Sequence, residues 1–388
     1  MKTVTLASLG TIALIGIAFM SFLSVPEVGI RKGRPIKQPV VSTQIKSLQL
    51  SHAIDGLACG SSNGELLVVA KSRENKRRLL LRCDLDNSKC AELFSTSEVL
   101  FGPAVSPNGA VAFCALWRTG AGERSEIASF RTNDGGQLRK MKAPSTDGLG
   151  VELTSDATAI ALSPDGNLLA CGSKLVDSQF VAGGHIGGEV CIWNTASGSV
   201  VWRNRTTHSD IVRAIKFSPD SKLLFSAGDD AHTRIWDATS GDLKGTLVGT
   251  LWDGVVSMTI SPDGRYLATG GQGREEGGRV RVWDLKTRQT IHLSQPFLRE
   301  TNVHVAFCSD GALVAAGVAK SHDSTSSEEP RFDLYRWAVD DFRVKHLVGH
   351  GISWIRALLA APESRSVYVG TWDGQILQFD FIDEQRRQ

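Results

Sequence analysis

Signs of chemistry are scarce in this chain. Lys and Arg total 43 against 41 for Asp and Glu, a net charge of only +2 over 388 residues. That balance excludes a strongly basic surface, so no nucleic-acid partner is expected. None of the seven cysteines forms a close pair of the metal-ligand type, and none of the nine histidines stands in a His-Glu-x-x-His pattern. There is no Gly-x-Ser-x-Gly elbow and no Walker-type phosphate loop. The run Gly183-Gly184-His185-Ile186-Gly187-Gly188 joins two strands and opens no helix. No catalytic residue, cofactor or metal is therefore expected.

What the chain does have is repetition. Cys191-Ile192-Trp193-Asn194, Arg234-Ile235-Trp236-Asp237, Arg281-Val282-Trp283-Asp284, Leu334-Tyr335-Arg336-Trp337 and Leu377-Gln378-Phe379-Asp380 are near copies whose aromatic anchors lie 43, 47, 54 and 42 residues apart. A period near forty residues signals an array of one supersecondary unit. A second phrase keeps step: Ser106-Pro107-Asn108-Gly109, Ser163-Pro164-Asp165-Gly166, Ser218-Pro219-Asp220, Ser261-Pro262-Asp263-Gly264 and Ser309-Asp310-Gly311. Pro fixes φ and Gly accepts positive φ, so these are turns between apolar runs. In residues 208–247 the runs are too short, and too often broken by Gly, Pro and Asp, for helices. They read as four antiparallel strands.

One such sheet cannot bury both faces, whereas stacked copies closed into a ring can. From about residue 42 to 383 the phrases resemble the WD-repeat β-propeller family, most strongly over 157–293. The resemblance implies an all-β fold of seven four-stranded blades, at about 53–96, 99–141, 157–203, 208–247, 250–294, 302–348 and 351–383. The last blade has only three strands of its own. By the same resemblance, the alternating segment 43–50 is expected to complete it, with 384–388 a polar tail.

In WD-repeat proteins a His, a Ser or Thr, an Asp and a strand-three Trp form a hydrogen-bonded set. The resemblance assigns His208, Asp230 and Trp236 to it in blade four, where Gly228 occupies the hydroxyl position. It assigns His350, Thr371 and Asp373 in blade seven, where Phe379 has no indole N–H to give. Blades three and five carry Gly187 and Gly277 in place of the Asp. These are structural roles, not catalytic ones.

Loop length points to the site. The strand two-to-three connections are extended in five blades, at 72–76, 118–124, 174–187, 272–278 and 320–330, and should ring one mouth of the channel. Trp354, Trp252, Trp372, Phe180 and Arg118 are expected near that mouth, and Trp and Arg are favoured interface anchors. The function expected is a non-catalytic scaffold for a protein or peptide partner. The alternative is a propeller enzyme, lactonase-like or quinone-dependent dehydrogenase-like, with Asp177, His185, Glu275 and His322 as candidates that no spacing links.

Thr3 to Val25 carries no charge and ends at Pro26. As a helix it would be about 33 Å long, enough for the hydrocarbon core of a bilayer. It is expected as a single-pass anchor, with a cleaved signal peptide as the rival reading. Residues 26–42 are a basic linker, and Arg31, Lys32, Arg34 and Lys37 lean the propeller towards the cytoplasm by the positive-inside rule. Cys83 and Cys90 flank a hairpin turn and Cys171 and Cys191 sit on adjacent strands, so either pair can meet. Buried, reduced thiols are the expectation for all seven.

Overall fold

The computed structural model describes residues 41–60, 64–117, 125–142, 153–177, 185–249, 253–273, 277–294, 302–319, 331–338, 344–362 and 365–382. The chain divides at Gln38/Pro39, and all described residues lie in the larger unit. Thr3 to Val25, expected as a membrane anchor, falls outside them. Among the described residues no helix is long and apolar enough to cross a membrane.

After β1 (Val41–Gln49), blade one is β2 (His52–Cys59), β3 (Glu65–Ser72), β4 (Arg78–Asp84) and β5 (Lys89–Thr96). Blade two is β6 (Val99–Val105), β7 (Val111–Trp117), β8 (Glu126–Arg131) and β9 (Gln137–Lys142). Blade three is β10 (Leu153–Leu162), β11 (Leu168–Asp177), β12 (His185–Asn194) and β13 (Val200–His208). Blade four is β14 (Val212–Phe217), β15 (Leu223–Gly228), β16 (His232–Asp237) and β17 (Leu243–Val248). Blade five is β18 (Asp253–Ile260), β19 (Tyr266–Gly273), β20 (Val280–Asp284) and β21 (Gln289–Leu293). Blade six is β22 (Val303–Phe307), β23 (Leu313–Ala319), β24 (Arg331–Trp337) and β25 (Val344–Ile352). Blade seven is β26 (Ile355–Ala360), β27 (Ser366–Thr371) and β28 (Gln375–Ile382), with β1 paired antiparallel to β28 as its fourth strand. The first strands of successive blades neighbour one another, and β26 meets β2 to close the ring.

Both repeated phrases have a mechanical basis. In the Ser-Pro turns the serine hydroxyl accepts the backbone N–H five residues on: Val111 at 2.9 Å, Leu168 at 2.9 Å, Leu223 at 2.9 Å and Tyr266 at 2.8 Å. Gly166 and Gly264 supply the positive φ these turns need, at 77° and 71°. In the Trp-Asp phrase the carboxylate caps the following turn. Asp237 accepts the N–H groups of Thr239 and Ser240 at 3.1 and 3.0 Å, and Asp284 those of Lys286 and Thr287 at 3.0 Å each. The strand-three aromatics are core. Trp193, Trp236, Trp283 and Trp337 are buried, as is Phe379, each in a different cluster between neighbouring blades. Seven such clusters fill the seven interfaces, which is why the ring needs every blade.

Two expectations are corrected. Cys83 and Cys90 face each other across β4 and β5, with Cα atoms 4.1 Å apart, and form a disulfide. Cys171 and Cys191 also pair in register but stay as free, buried thiols. Residues 174–187 are not one long loop. β11 and β12 continue pairing through Lys174–Gly188, Leu175–Gly187 and Val176–His185, so the ladder satisfies backbone groups that a loop would leave to solvent.

Candidate functional site

In a meander, the strand two-to-three turn and the link to the next blade leave from the same end. Trp354, between β25 and β26, and Trp372, between β27 and β28, therefore share one rim of the ring. The Trp372 N–H donates to the Trp354 carbonyl at 2.9 Å. The two side chains are 38% and 45% exposed, whereas the strand-three aromatics are buried. The Arg356 guanidinium lies 5.2 Å from the Trp372 ring, and Arg73 Nη2 donates to the Trp372 carbonyl at 3.0 Å. Blade seven and its neighbour, blade one, thus present a fixed aromatic and cationic corner. Trp252, Phe180 and Arg118, and the loop segments 118–124, 178–184, 274–276 and 320–330, lie outside the described residues.

The mouth has a second layer that the sequence does not suggest. Six of the seven first strands carry a β-bulge, and β22 pairs with β23 without one. A bulge re-aims a side chain and strengthens local twist. The bulged residues include Asp55, Thr158, Arg213, Val256 and Arg356. Their charges are paired. Asp55 accepts from Arg356 Nη2 at 2.8 Å and from Arg78, and Arg213 grips both oxygens of Asp229 at 2.7–2.9 Å. The bidentate bond also raises the Arg213 pKa, against the desolvation that opposes it.

Blade four contains a complete buried relay. Trp236 Nε1 donates to Ser226 Oγ at 2.8 Å, and Ser226 Oγ lies 2.7 Å from His208 Nε2. His208 Nδ1 is 3.1 Å from Asp230 Oδ2, which also accepts from Arg234 Nη1 at 2.7 Å. A proton on Nδ1 serves Asp230, with the serine O–H donating to Nε2, whereas a bare Nδ1 accepts from Arg234 Nη1, which lies 2.8 Å from it. Burial lowers the His208 pKa, and the Arg234 charge adds to this against the raising effect of Asp230. Burial pushes the Asp230 carboxyl up, but the His208 hydrogen bond and the His208 and Arg234 charges bring it net below the usual value. The site is a neutral imidazole clamped between partners, which suits holding strands together.

The hydroxyl comes from Ser226, not from the position of Gly228. A Cβ on Gly228 would stand 1.8 Å from the Ile211 carbonyl oxygen, so that position is a backbone contact between the blade's entry and its second strand. The signal for Ser226 is period two, which puts it on the face of β15 shared with Leu224. In blade seven, Thr371 Oγ1 donates to Asp373, and Gln375 N–H donates to Thr371 Oγ1 at 2.9 Å. The His350 side chain lies outside the described residues, although its backbone pairs with Asp333. In blades three and five the indole N–H groups of Trp193 and Trp283 have no acceptor among the described residues. Blade three also holds an unforeseen buried ion pair, Arg205 Nε to Glu189 Oε2 at 2.5 Å.

Of the candidates for enzyme chemistry, Asp177 ends β11 and His185 begins β12, and nothing is described of their side chains. Glu275 and His322 lie outside the described residues. Among the described residues no three His, Cys, Asp or Glu side chains group as a metal site. A cavity of about 20 Å³ between blades four and five, lined by residues such as Thr233, Thr269 and Trp283, has room for one water and for no organic ligand.

Seven interlocked blades, four of them with a strand-three indole and one with a His–Ser–Trp–Asp relay, define a propeller of the WD type. The family model described as WD domain, G-beta repeat matches residues 201–237 and 241–284, each stretch running from the fourth strand of one blade to the third of the next. The chain is 30% identical over 165 residues to Protein groucho of Drosophila melanogaster, covering 42% of this chain and 20% of groucho. It is 27% identical over 155 residues to the human Angio-associated migratory cell protein (38% of this chain, 33% of that one). It is 28% identical over 137 residues to Small ribosomal subunit protein RACK1 of Caenorhabditis elegans (33% and 40%). The chain belongs to the WD-repeat β-propeller family. The matches span between a fifth and two fifths of these relatives' lengths.

Proposed function

We propose that this protein is a non-catalytic interaction scaffold that docks a protein or peptide on the loop face of the propeller. The observation that carries this reading is the pair Trp354 and Trp372, exposed side by side on one rim and braced by Arg356 and Arg73. Clustered aromatics with arginine, on a rigid frame, are what interface hot spots are made of. One relative's name places it in the small ribosomal subunit, an assembly role in keeping with this reading. Crosslinking and mass spectrometry on the native protein tests it. Crosslinks should concentrate on the loop face and disappear in a Trp354→Ala/Trp372→Ala double variant. Crosslinks on the opposite rim, unchanged by the variant, would remove the basis for it.

We further propose that residues 3–25 tether the propeller to a membrane, a reading supported by their lack of any charged residue and their many apolar ones. The basic residues after Pro26 favour a cytoplasmic propeller. The Cys83–Cys90 bridge supports the opposite side, because disulfides persist in oxidising compartments. Protease treatment of sealed membranes separates the two: a cytoplasmic propeller is digested only from the cytoplasmic side.

A further inference from the structure

Blade five keeps only part of the relay found in blade four. Trp283 pairs with Leu267 and Arg281 with Thr269, as Trp236 pairs with Leu224 and Arg234 with Ser226. Thr269, Arg281 and Trp283 thus hold the places of Ser226, Arg234 and Trp236. The other two places have changed. Gly277 stands four residues before Arg281, as Asp230 does before Arg234. Leu251 stands four before Val255, as His208 does before Val212, and these two valines hold equivalent ladder positions opposite Gly271 and Gly228. The carboxylate and the imidazole are therefore both missing from the sequence of blade five.

The cavity of about 20 Å³ between blades four and five lies at this point, since Thr269, Arg281 and Trp283 line it together with Thr233 and Arg279. Trp283 is buried, and its indole N–H has no acceptor. The Arg281 guanidinium lies 5.4 Å from the same ring. Indole and guanidinium N–H groups donate and cannot accept, and the two threonine hydroxyls can donate as well. Among the described residues no carboxylate lines the cavity. Asp229, close to Gly254 at the entry of blade five, is gripped by Arg213. A water held here needs acceptors for its own protons, and these side chains offer only the hydroxyl oxygens. A monatomic anion, only slightly larger than water, accepts from all of them. In blade four the guanidinium at this position, that of Arg234, donates to a carboxylate.

We propose that this cavity binds one halide ion of the size of chloride, which accepts the Trp283 indole N–H and takes the place in blade five that the Asp230 carboxylate holds in blade four. The ion ties β19 and β20 of blade five to β16 of blade four, because Thr233 lines the same cavity. Its binding therefore stabilises the folded ring. The site is separate from the docking rim, since it uses neither Trp354 nor Trp372.

The test uses the full chain in detergent with chloride as the probe, at constant ionic strength made up with gluconate, which is too large for the cavity. The indole N–H resonances of 15N-labelled tryptophan are followed by NMR, with that of Trp283 assigned from Trp283→Phe. Chloride moves the Trp283 resonance to a saturating value and leaves that of Trp236, already bonded to Ser226, in place. Chloride and bromide also raise the thermal midpoint. Thr269→Val, which removes one donor at nearly constant shape, needs about tenfold more chloride, or beyond, for the same rise. Thr246→Val, on the exposed outer strand of blade four, keeps the wild-type dependence. A Trp283 resonance that stays fixed between gluconate and saturating chloride overturns the proposal and is what a trapped water gives. An identical chloride dependence of the midpoint in Thr269→Val and the wild type overturns it as well. The Trp354→Ala/Trp372→Ala variant retains the chloride response, which separates failure here from failure of the docking face.

Discussion

The hydroxyl of Ser226 lies 2.7 Å from Nε2 of His208 and accepts the indole N–H of Trp236 at 2.8 Å. One oxygen thereby joins two strands of blade four to the end of the outer strand of blade three. Ser226→Ala strands a buried imidazole nitrogen and a buried indole N–H together. Each unsatisfied group costs about 1–3 kcal/mol, so the variant should lose more stability than one net hydrogen bond is worth. Denaturant unfolding checks this. Ser226→Thr, which keeps the hydroxyl, should recover part of the loss; a loss of under about 0.5 kcal/mol in Ser226→Ala would show that the relay contributes little.

Close backbone contact between blades gives a sharper contrast. A Cβ on Gly56 would fall 1.8 Å from the Gly102 carbonyl oxygen, with the first strands of blades one and two both fixed. Gly56→Ala should cost several kcal/mol, on the order of the largest single-site effects. Gly311 has a φ of 80°, but a Cβ there would meet nothing within 4 Å. Gly311→Ala should therefore cost only about 1 kcal/mol, the backbone penalty alone. Similar losses at the two sites in a thermal melt would mean that the inner strands can move apart.

How much of the molecule is legible in its sequence follows from which forces act locally. The blade number and the strand-three anchors are readable because each turn carries its own chemistry: the Ser163 and Ser261 hydroxyls and the Asp237 and Asp284 caps act within a few residues. The alternation in 43–50 has its counterpart in β1, but only the ring closure brings it to β28. What depends on register is less visible. Ser226 rather than the position of Gly228 supplies the hydroxyl because place along a strand, not residue type, decides which side chain reaches the indole. The bulges at Asp55, Arg213 and Arg356 leave no mark in composition, since any residue type can occupy them. The Arg205–Glu189 pair joins β13 to β12 across a hairpin whose register the sequence does not display. The proximity of Cys83 and Cys90 is plain from their hairpin, but cysteine count and spacing say nothing of their oxidation.

Ring closure makes a prediction about cooperativity. Leu48 on β1 packs into the cluster shared by blades seven and one, beside Tyr368 and Ile376. Leu48→Asp puts an unpaired carboxylate there, at a cost of about 2 kcal/mol or more. The damage should be local first. Hydrogen exchange of the β28 amides should speed up while the β15 and β16 amides of blade four keep their protection. Uniform acceleration across all blades would instead mean that the ring opens only as one unit.

Acid should weaken the propeller in a defined window. The folded-state pKa values of His208 and His304 both lie below the ordinary 6.5, through burial first in each case. The unfolded chain therefore takes up protons at these sites before the folded one does. The stability they allow is fully present above about pH 6.5 and declines as pH falls, for His304 down to its folded value of about 4. Asp230 adds to the loss below its ordinary 3.8, because its folded pKa is lowered too. The thermal midpoint should thus fall steadily from about pH 7 to about pH 4.5 at constant salt. His304→Ala matches the alanine at the equivalent position of blade four, Ala214, and should flatten that slope while leaving the midpoint at neutral pH little changed. Parallel slopes for wild type and His304→Ala would show that His304 titrates freely in the channel.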